Sequence, residues 1–343
     1  CYHFFMKSPA AGGEGIPDAA RPARVEFRDA PQERNAQFAQ AVAKLIAEDL
    51  RFSGQVVSIE FPQTGATSFV CFLESAEGKM VFKLPSKPGY HAGEMRAFAA
   101  WKKQGVSVPD IIEDGMLEVV ENGAHKSRPY VIMSYIGERA LNDGRTKEEL
   151  LAAGDYARMG ALQRHMHTTD PDERGFGLIR PDGDVEFSSF DEWMGSEKMQ
   201  THINYVVEHG LLDAGVIEKA RAILVEHANA NPRTTYCHMD FSAQNIFKTE
   251  PLTVFDPGTE LNVPLVDLGK AVVCNVMDGE EAIAQLIEGY EAGGESVEPM
   301  RIDRRALHAA VVITALRKLV FLHKNADKET PAARIKALQA YFA

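Results

Sequence analysis

The stretch His238-Met239-Asp240-Phe241-Ser242-Ala243-Gln244-Asn245, followed by Val254-Phe255-Asp256-Pro257-Gly258, decides how this chain is read. A loop carboxylate at Asp240 can accept a hydrogen bond from a hydroxyl and aim its oxygen at a phosphorus. An amide oxygen five residues later, at Asn245, can reach a metal where the loop enters a strand. Asp256, at the end of the return strand, completes the oxygen ligand set that magnesium prefers. The bland alternative is an Asx-rich turn before a hairpin, and the spacing alone does not separate the two.

Residues further upstream add weight. Lys83 closes the apolar run Met80-Val81-Phe82-Lys83-Leu84, where an inward cation is costly without an anionic partner. Glu94 stands at the start of the next helical segment and can supply that partner. Gln63-Thr64-Gly65-Ala66-Thr67-Ser68 is a small-residue turn between two strands, suited to backbone N–H groups approaching phosphate. Each has an ordinary reading as well: a surface lysine, a dipole-favoured glutamate, a plain hairpin.

The pattern around these residues divides the chain. Residues 1–25 are rich in Gly, Pro and Ala and are expected to be disordered. Gln32 to Leu50 places Phe38, Val42, Leu45 and Ile46 on one helical face. Gln55–Phe61, Ser68–Glu74 and Met80–Leu84 read as strands, Gly93–Lys103 as a helix, and Met116–Val120 with Tyr130–Tyr135 as a hairpin around Asn122-Gly123. After Gly137 the signals turn helical. Thr146 with Glu149 and Ser189 with Glu192 have capping-box spacing, and Asn245–Phe247 with Thr253–Phe255 forms a short β interruption. The expected domains are a small β-rich lobe over 26–136 and a larger helical lobe over 137–343.

In this order the turn, strand lysine, helix glutamate, hinge, His-x-Asp-x4-Asn and Asp-Pro resemble the aminoglycoside phosphotransferase family. The resemblance covers nearly the whole chain from about residue 50, with Val131-Ile132-Met133-Ser134 as the hinge and Pro264-Leu265-Val266-Asp267-Leu268 after the second aspartate. It implies an α+β, protein-kinase-like bilobal fold. It also implies transfer of the γ-phosphoryl group of ATP or GTP, with Mg2+, to a hydroxyl of a small molecule. Position by position, Asp240 is then the catalytic aspartate, and Asn245 and Asp256 hold magnesium. Lys83 and Glu94 anchor phosphates, Gly65 and Ser68 lie in the phosphate turn, and Ser134 and Ile136 bind adenine through their backbone. His238 and Asp267 brace the loop. Met239 stands where the family usually has Gly.

The acceptor is expected to be an aminoglycoside-type antibiotic. Gly175-Phe176-Gly177 and Phe190-Asp191-Glu192-Trp193 look like the insert of the family's antibiotic kinases, and Asp191, Glu192, Glu208 and Asp213 are candidate substrate acids. A metabolic hydroxyl kinase of the choline, homoserine or fructosamine type is the alternative, and a nucleotide-binding pseudokinase a further one. A protein kinase would need an activation segment, but Asp267 follows Asp256 by only eleven residues and no Ala-Pro-Glu occurs. No GxxxxGK[ST] or Gly-x-Ser-x-Gly motif is present. The net charge of −12 argues against nucleic acid as a partner. Four widely spaced cysteines favour reduced thiols and a cytoplasmic setting. Ala309–Leu322 is interrupted by Arg317 and Lys318, so it reads as a buried helix and no membrane partner is expected.

Overall fold

A computed structural model describes residues 26–27, 36–48, 56–61, 68–75, 78–85, 88–121, 124–137, 139–294, 297–325 and 329–342. Residues 1–25, Gly65 and the Asn122-Gly123 turn lie outside the described residues. The chain forms two compact units, Cys1–Ser86 with Ile111–Ser134, and Lys87–Asp110 with Tyr135–Ala343.

The first unit is built on a six-stranded sheet. Its strands are β1 (Glu26–Phe27), β2 (Val56–Glu60), β3 (Phe69–Ser75), β4 (Gly78–Leu84), β5 (Ile111–Glu121) and β6 (Ala124–Ser134), in the order β1-β2-β3-β4-β6-β5. Alternation along β3 turns Phe69, Cys71 and Leu73 inward, as the two-residue repeat of a pleated strand requires. They meet Val42 and Ile46 of helix α1 (Ala36–Glu48), where the helical repeat puts residues four apart on one face. Phe82 stacks on Tyr130 at 5.3 Å and meets Phe69 edge-on.

The second unit begins with α2 (Pro88–Lys103). The sequence placed this helix with the small lobe, but its contacts run elsewhere. Trp101 stacks parallel to His238, Arg96 forms an ion pair with Glu173, and Gly93 lies against Thr259. Then come α3 (Lys147–Ala152), α4 (Asp155–Met166), β7 (Phe176–Ile179), β8 (Val185–Phe187), α5 (Phe190–Gly195), α6 (Glu197–Glu208), α7 (Ala214–Ala230) and β9 (Thr235–Cys237). The chain continues through β10 (Ile246–Phe247), β11 (Thr253–Val254), β12 (Glu260–Asn262), α8 (Pro264–Asn275), α9 (Glu280–Ala292), α10 (Arg304–Lys324) and α11 (Glu329–Phe342). Strands pair as β8-β7-β12-β9 and as the hairpin β10-β11.

Local chemistry sets several of these boundaries. Thr146 and Glu149 close a full capping box on α3. On α5, Ser189 caps the Glu192 N–H, while the Glu192 carboxylate reaches back to Ser188 instead. Helix α10 is long and apolar enough to cross a membrane, but 72% of its apolar window is buried inside this unit. Gly269 lets α8 lie directly on it, since a Cβ there would sit 2.7 Å from the Ala310 carbonyl carbon.

Helices α4 and α9 touch through backbone. A Cβ on Gly160 would stand 2.0 Å from the Leu286 oxygen, and one on Gly289 would stand 1.9 Å from the Ala157 oxygen. Neither neighbour can rotate away. Gly160→Ala should therefore cost about 3 kcal/mol, at the upper end of ordinary overpacking, measured as a lowered urea midpoint. An unchanged midpoint would show that the helices are free to separate.

Candidate active site

Strand β9 ends at Cys237, and the loop from His238 to Asn245 hangs from it. A single buried carboxylate sets its shape. Asp267, in the first turn of α8 and 0% exposed, accepts from the N–H of His238 at 3.0 Å and of Met239 at 2.6 Å. It also accepts from His167 Nε2 at 2.9 Å and Gln163 Nε2 at 3.0 Å. Burial alone would raise its pKa, but the bond and charge of His167 and the Met239 N–H outweigh it. The carboxyl therefore titrates below its ordinary value. Behind it, His167 Nδ1 meets the Tyr290 hydroxyl at 2.7 Å, beside the α4–α9 contact.

His238 is the second brace. Its Nδ1 accepts from the Asp240 N–H at 3.3 Å and its Nε2–H donates to the Phe255 carbonyl at 3.0 Å, which defines one neutral tautomer. Its carbonyl accepts from the Gly258 N–H at 2.9 Å. Asp256 thus lies between two residues tied to His238. Its φ of 53° and the φ of 61° at Met239 are left-handed values that a side chain rarely adopts. Such strain persists only where surrounding bonds impose it, and it clusters at functional sites. A glycine at 239 would adopt this φ without strain.

The loop and the hairpin bring the sequence candidates together. Asn245 Nδ2 donates to the Asp240 carbonyl at 2.8 Å and to its Oδ2 at 3.1 Å. The amide oxygen is left for another partner. The Phe255 N–H bonds the Asn245 carbonyl at 3.1 Å, so Asp256 follows directly on a residue tied to Asn245. Asp240 and Asp256 are both exposed. An amide oxygen and an exposed carboxylate form a donor set that fits a hard dication such as Mg2+.

The remaining candidates are distributed as follows. Lys83 pairs in register with Val70 and Val131 and is 5% exposed, while Glu94 on α2 is 1% exposed. Ser68 precedes β3, Ser134 ends β6, and Ile136 lies just beyond it. The four candidate substrate acids serve other ends or stand apart. Asp213 caps α7, bonding the N–H of Gly215 and Val216, and Glu192 is bound to Ser188. Asp191 and Glu208 are exposed, and none of the four lines the cleft next to Met239.

Sequence reasoning missed Cys274. Its thiol lies 3.6 Å from Asp240 Oδ1, and burial pushes its pKa up to about 11, so it keeps its proton and donates a hydrogen bond to that carboxylate. It also passed over Lys270 and took Lys318 only as a break in an apolar run. Both act on Cys274, and Lys318 has its own pKa lowered, chiefly by burial. A helical stripe would have revealed part of this, because Asp267, Lys270 and Cys274 recur on one face of α8. Cys71, Cys237 and Cys274 are all free thiols.

Residues 58–303 match the model of the phosphotransferase enzyme family. No curated protein matches the sequence. Among solved structures, the chain is similar to a thermostable mutant of aminoglycoside phosphotransferase APH(4)-Ia in a ternary complex with AMP-PNP and hygromycin B. The TM-score is 0.60 at 15% identity, over 87% of this chain and 96% of that one. It is also similar to a microcompartment-associated aminopropanol kinase, with a TM-score of 0.57 at 16% identity over 83% and 90% of the two chains. A putative fructosamine-3-kinase from Haemophilus somnus 129PT gives 0.53 at 12% identity over 90% and 100%. These likenesses show the protein-kinase-like α+β fold.

Proposed function

This chain belongs to the phosphotransferase enzyme family, as a small-molecule kinase, and from that premise we propose that it moves the γ-phosphoryl group of ATP or GTP to a hydroxyl of a metabolite. The observation that carries this reading is the pair of hydrogen bonds from Asn245 to Asp240, with the Phe255 N–H bonded to Asn245 and Asp256 next in the chain. Asp240 accepts a hydrogen bond from the acceptor hydroxyl and orients it. The hydroxyl oxygen bonds to the γ-phosphorus as the bond from that phosphorus to the bridging oxygen breaks. The proton leaves by way of Asp240, and the nucleoside diphosphate departs.

Magnesium, when bound, would be held by the Asn245 amide oxygen and the Asp256 carboxylate, and it neutralises charge on the phosphate oxygens. In this reading Lys83 and Glu94 handle the nucleotide phosphates, with Gly65 and Ser68 in the phosphate turn. Ser134 and Ile136 serve the adenine. Asp256→Asn should raise the magnesium concentration for half-maximal rate by about tenfold or more, as lost ligation does elsewhere. A magnesium titration of initial rates checks this, and an unshifted curve removes Asp256 from the metal site.

An aminoglycoside-type acceptor is the second reading, favoured by hygromycin B in the complex of one structural neighbour. Its sequence support is the insert resemblance of Gly175-Phe176-Gly177 and Phe190-Asp191-Glu192-Trp193, together with four acids. Of these, Asp213 caps a helix, Glu192 is bound to Ser188, and none lines the cleft beside Met239. The deciding experiment offers ATP and GTP with aminoglycosides, choline, homoserine and sugar amines, and scores acceptors by mass for one added phosphoryl group. Phosphorylation of aminoglycosides alone would overturn the metabolic reading.

A further inference from the structure

The catalytic loop borders a cleft contained within the helical unit. Met239, the residue before Asp240, lines it together with Glu260, Lys198, Lys270 and Arg317. Glu260 on β12 is 6% exposed, yet its carboxylate makes no hydrogen bond or ion pair among the described residues. Buried carboxylates are normally paired, so an unpaired one facing a cleft points to a ligand that supplies the missing donor. The other acid of the lining, Glu186, already accepts from the Leu178 N–H.

The cations of the same cleft act on the Glu260 carboxylate through their charge without closing on it as an ion pair. Lys198 comes from α6, Lys270 from α8 and Arg317 from α10, and none forms an ion pair among the described residues. The chain as a whole carries 37 basic against 49 acidic side chains, so three cations converging on one cleft run against its average surface. Their field is felt locally. The pKa of His202 in the same lining is lowered, first by burial and then by Lys198, Arg317 and Lys324. The three cations outnumber the two carboxylates of the lining, Glu186 and Glu260, and a cleft with an excess of one sign of charge concentrates ligands of the other sign.

We propose that the acceptor of the kinase reading above is an anion-bearing hydroxy compound. Lys198, Lys270 and Arg317 hold its carboxylate or phosphate, and Glu260 accepts a hydrogen bond from one of its hydroxyl or amino groups. The guanidinium of Arg317 offers a planar fork suited to either anion, and the two ammonium groups add charge without fixing geometry. A polycation entering the same cleft would meet three like charges against two carboxylates.

Matched acceptors that differ mainly in the charged group test this: glycerate against glycerol, ribose 5-phosphate against ribose, pantothenate against pantothenol, with hygromycin B as the polycationic arm. The expected result is a kcat/KM at least about tenfold higher for the anionic member of at least one pair. Arg317→Gln, Lys270→Gln and Glu260→Gln should each raise the KM of that acceptor about tenfold. Lys219→Gln, an exposed charge control on α7 outside the cleft, should not. The carboxylate and phosphate pairs separate the two anion types. If a neutral member or hygromycin B is the better acceptor, or if the cleft variants change nothing, the anionic acceptor is wrong and the kinase reading stands. If no member of any pair gains a phosphoryl group, calorimetric titration with the same pairs decides. Binding no tighter for the anionic members than for the neutral ones overturns the proposal. Absence of any magnesium-dependent nucleotide turnover in the wild-type protein would instead sink the kinase reading.

Discussion

Asp240→Asn should give a folded protein that binds nucleotide and transfers phosphoryl groups about a thousandfold more slowly, the middle of the range for removing a positioned proton acceptor. The fold should survive because the Asp240 carboxylate is exposed and, among the described residues, makes two side-chain hydrogen bonds, to Asn245 Nδ2 at 3.1 Å and Cys274 Sγ at 3.6 Å. An asparagine keeps one oxygen for these neighbours and loses the charge that draws the acceptor proton. The kcat at saturating acceptor, beside calorimetric affinity for the nucleoside diphosphate, separates chemistry from binding. Retention of more than a tenth of the wild-type kcat would move the catalytic role elsewhere.

The largest stability effect is expected at Asp267. Asparagine there turns one acceptor into a donor facing the N–H groups of His238 and Met239, His167 and Gln163. Breaking a buried, fully bonded charge in this way costs about 3–5 kcal/mol. The same change frees the loop that carries Asp240, so activity should fall with it. The folded-state pKa of Asp267 lies below the ordinary carboxyl value of 3.8, so its contribution to stability is complete above that value. The contribution is lost as pH falls through the folded pKa, because protons then bind the native carboxyl as well. Urea unfolding at neutral pH should show the full deficit, and the gap from wild type should narrow at pH values below 3.8. A gap that stays constant with pH would mean that the Asp267 charge contributes nothing.

The candidate constellation was readable in the sequence because its geometry is local. Asp240 and Asn245 are close in the chain, and a short hairpin returns Asp256 beside them. Capping at Thr146 and alternation along β3 were legible for the same reason. The assignment of Pro88–Lys103 was not. Local pattern shows a helix between two strands, but its anchors at Glu173, His238 and Thr259 are far away in sequence. The acids fared worst. An aspartate just before a helix, like Asp213, has a capping role open to it before any ligand. Glu260 drew no notice and Arg317 was read only as a break in an apolar run, because a glutamate in a short strand and an arginine in an apolar helix carry no motif. Only the convergence of β12, α6, α8 and α10 on one cleft gives them meaning.

Asp267 grips residues 238 and 239 by their backbone N–H groups, never by the side chain of Met239. The loop's shape and the identity of residue 239 are therefore separable variables. Because that side chain lines the cleft, exchanging it alters the wall offered to an acceptor without untying the loop. The left-handed φ limits the choice, with Gly and Asn the easiest alternatives. Position 239 is in this sense a selectivity dial mounted on a fixed axle. Divergence toward new acceptors could begin there, one substitution at a time, with the phosphoryl-transfer geometry carried forward intact.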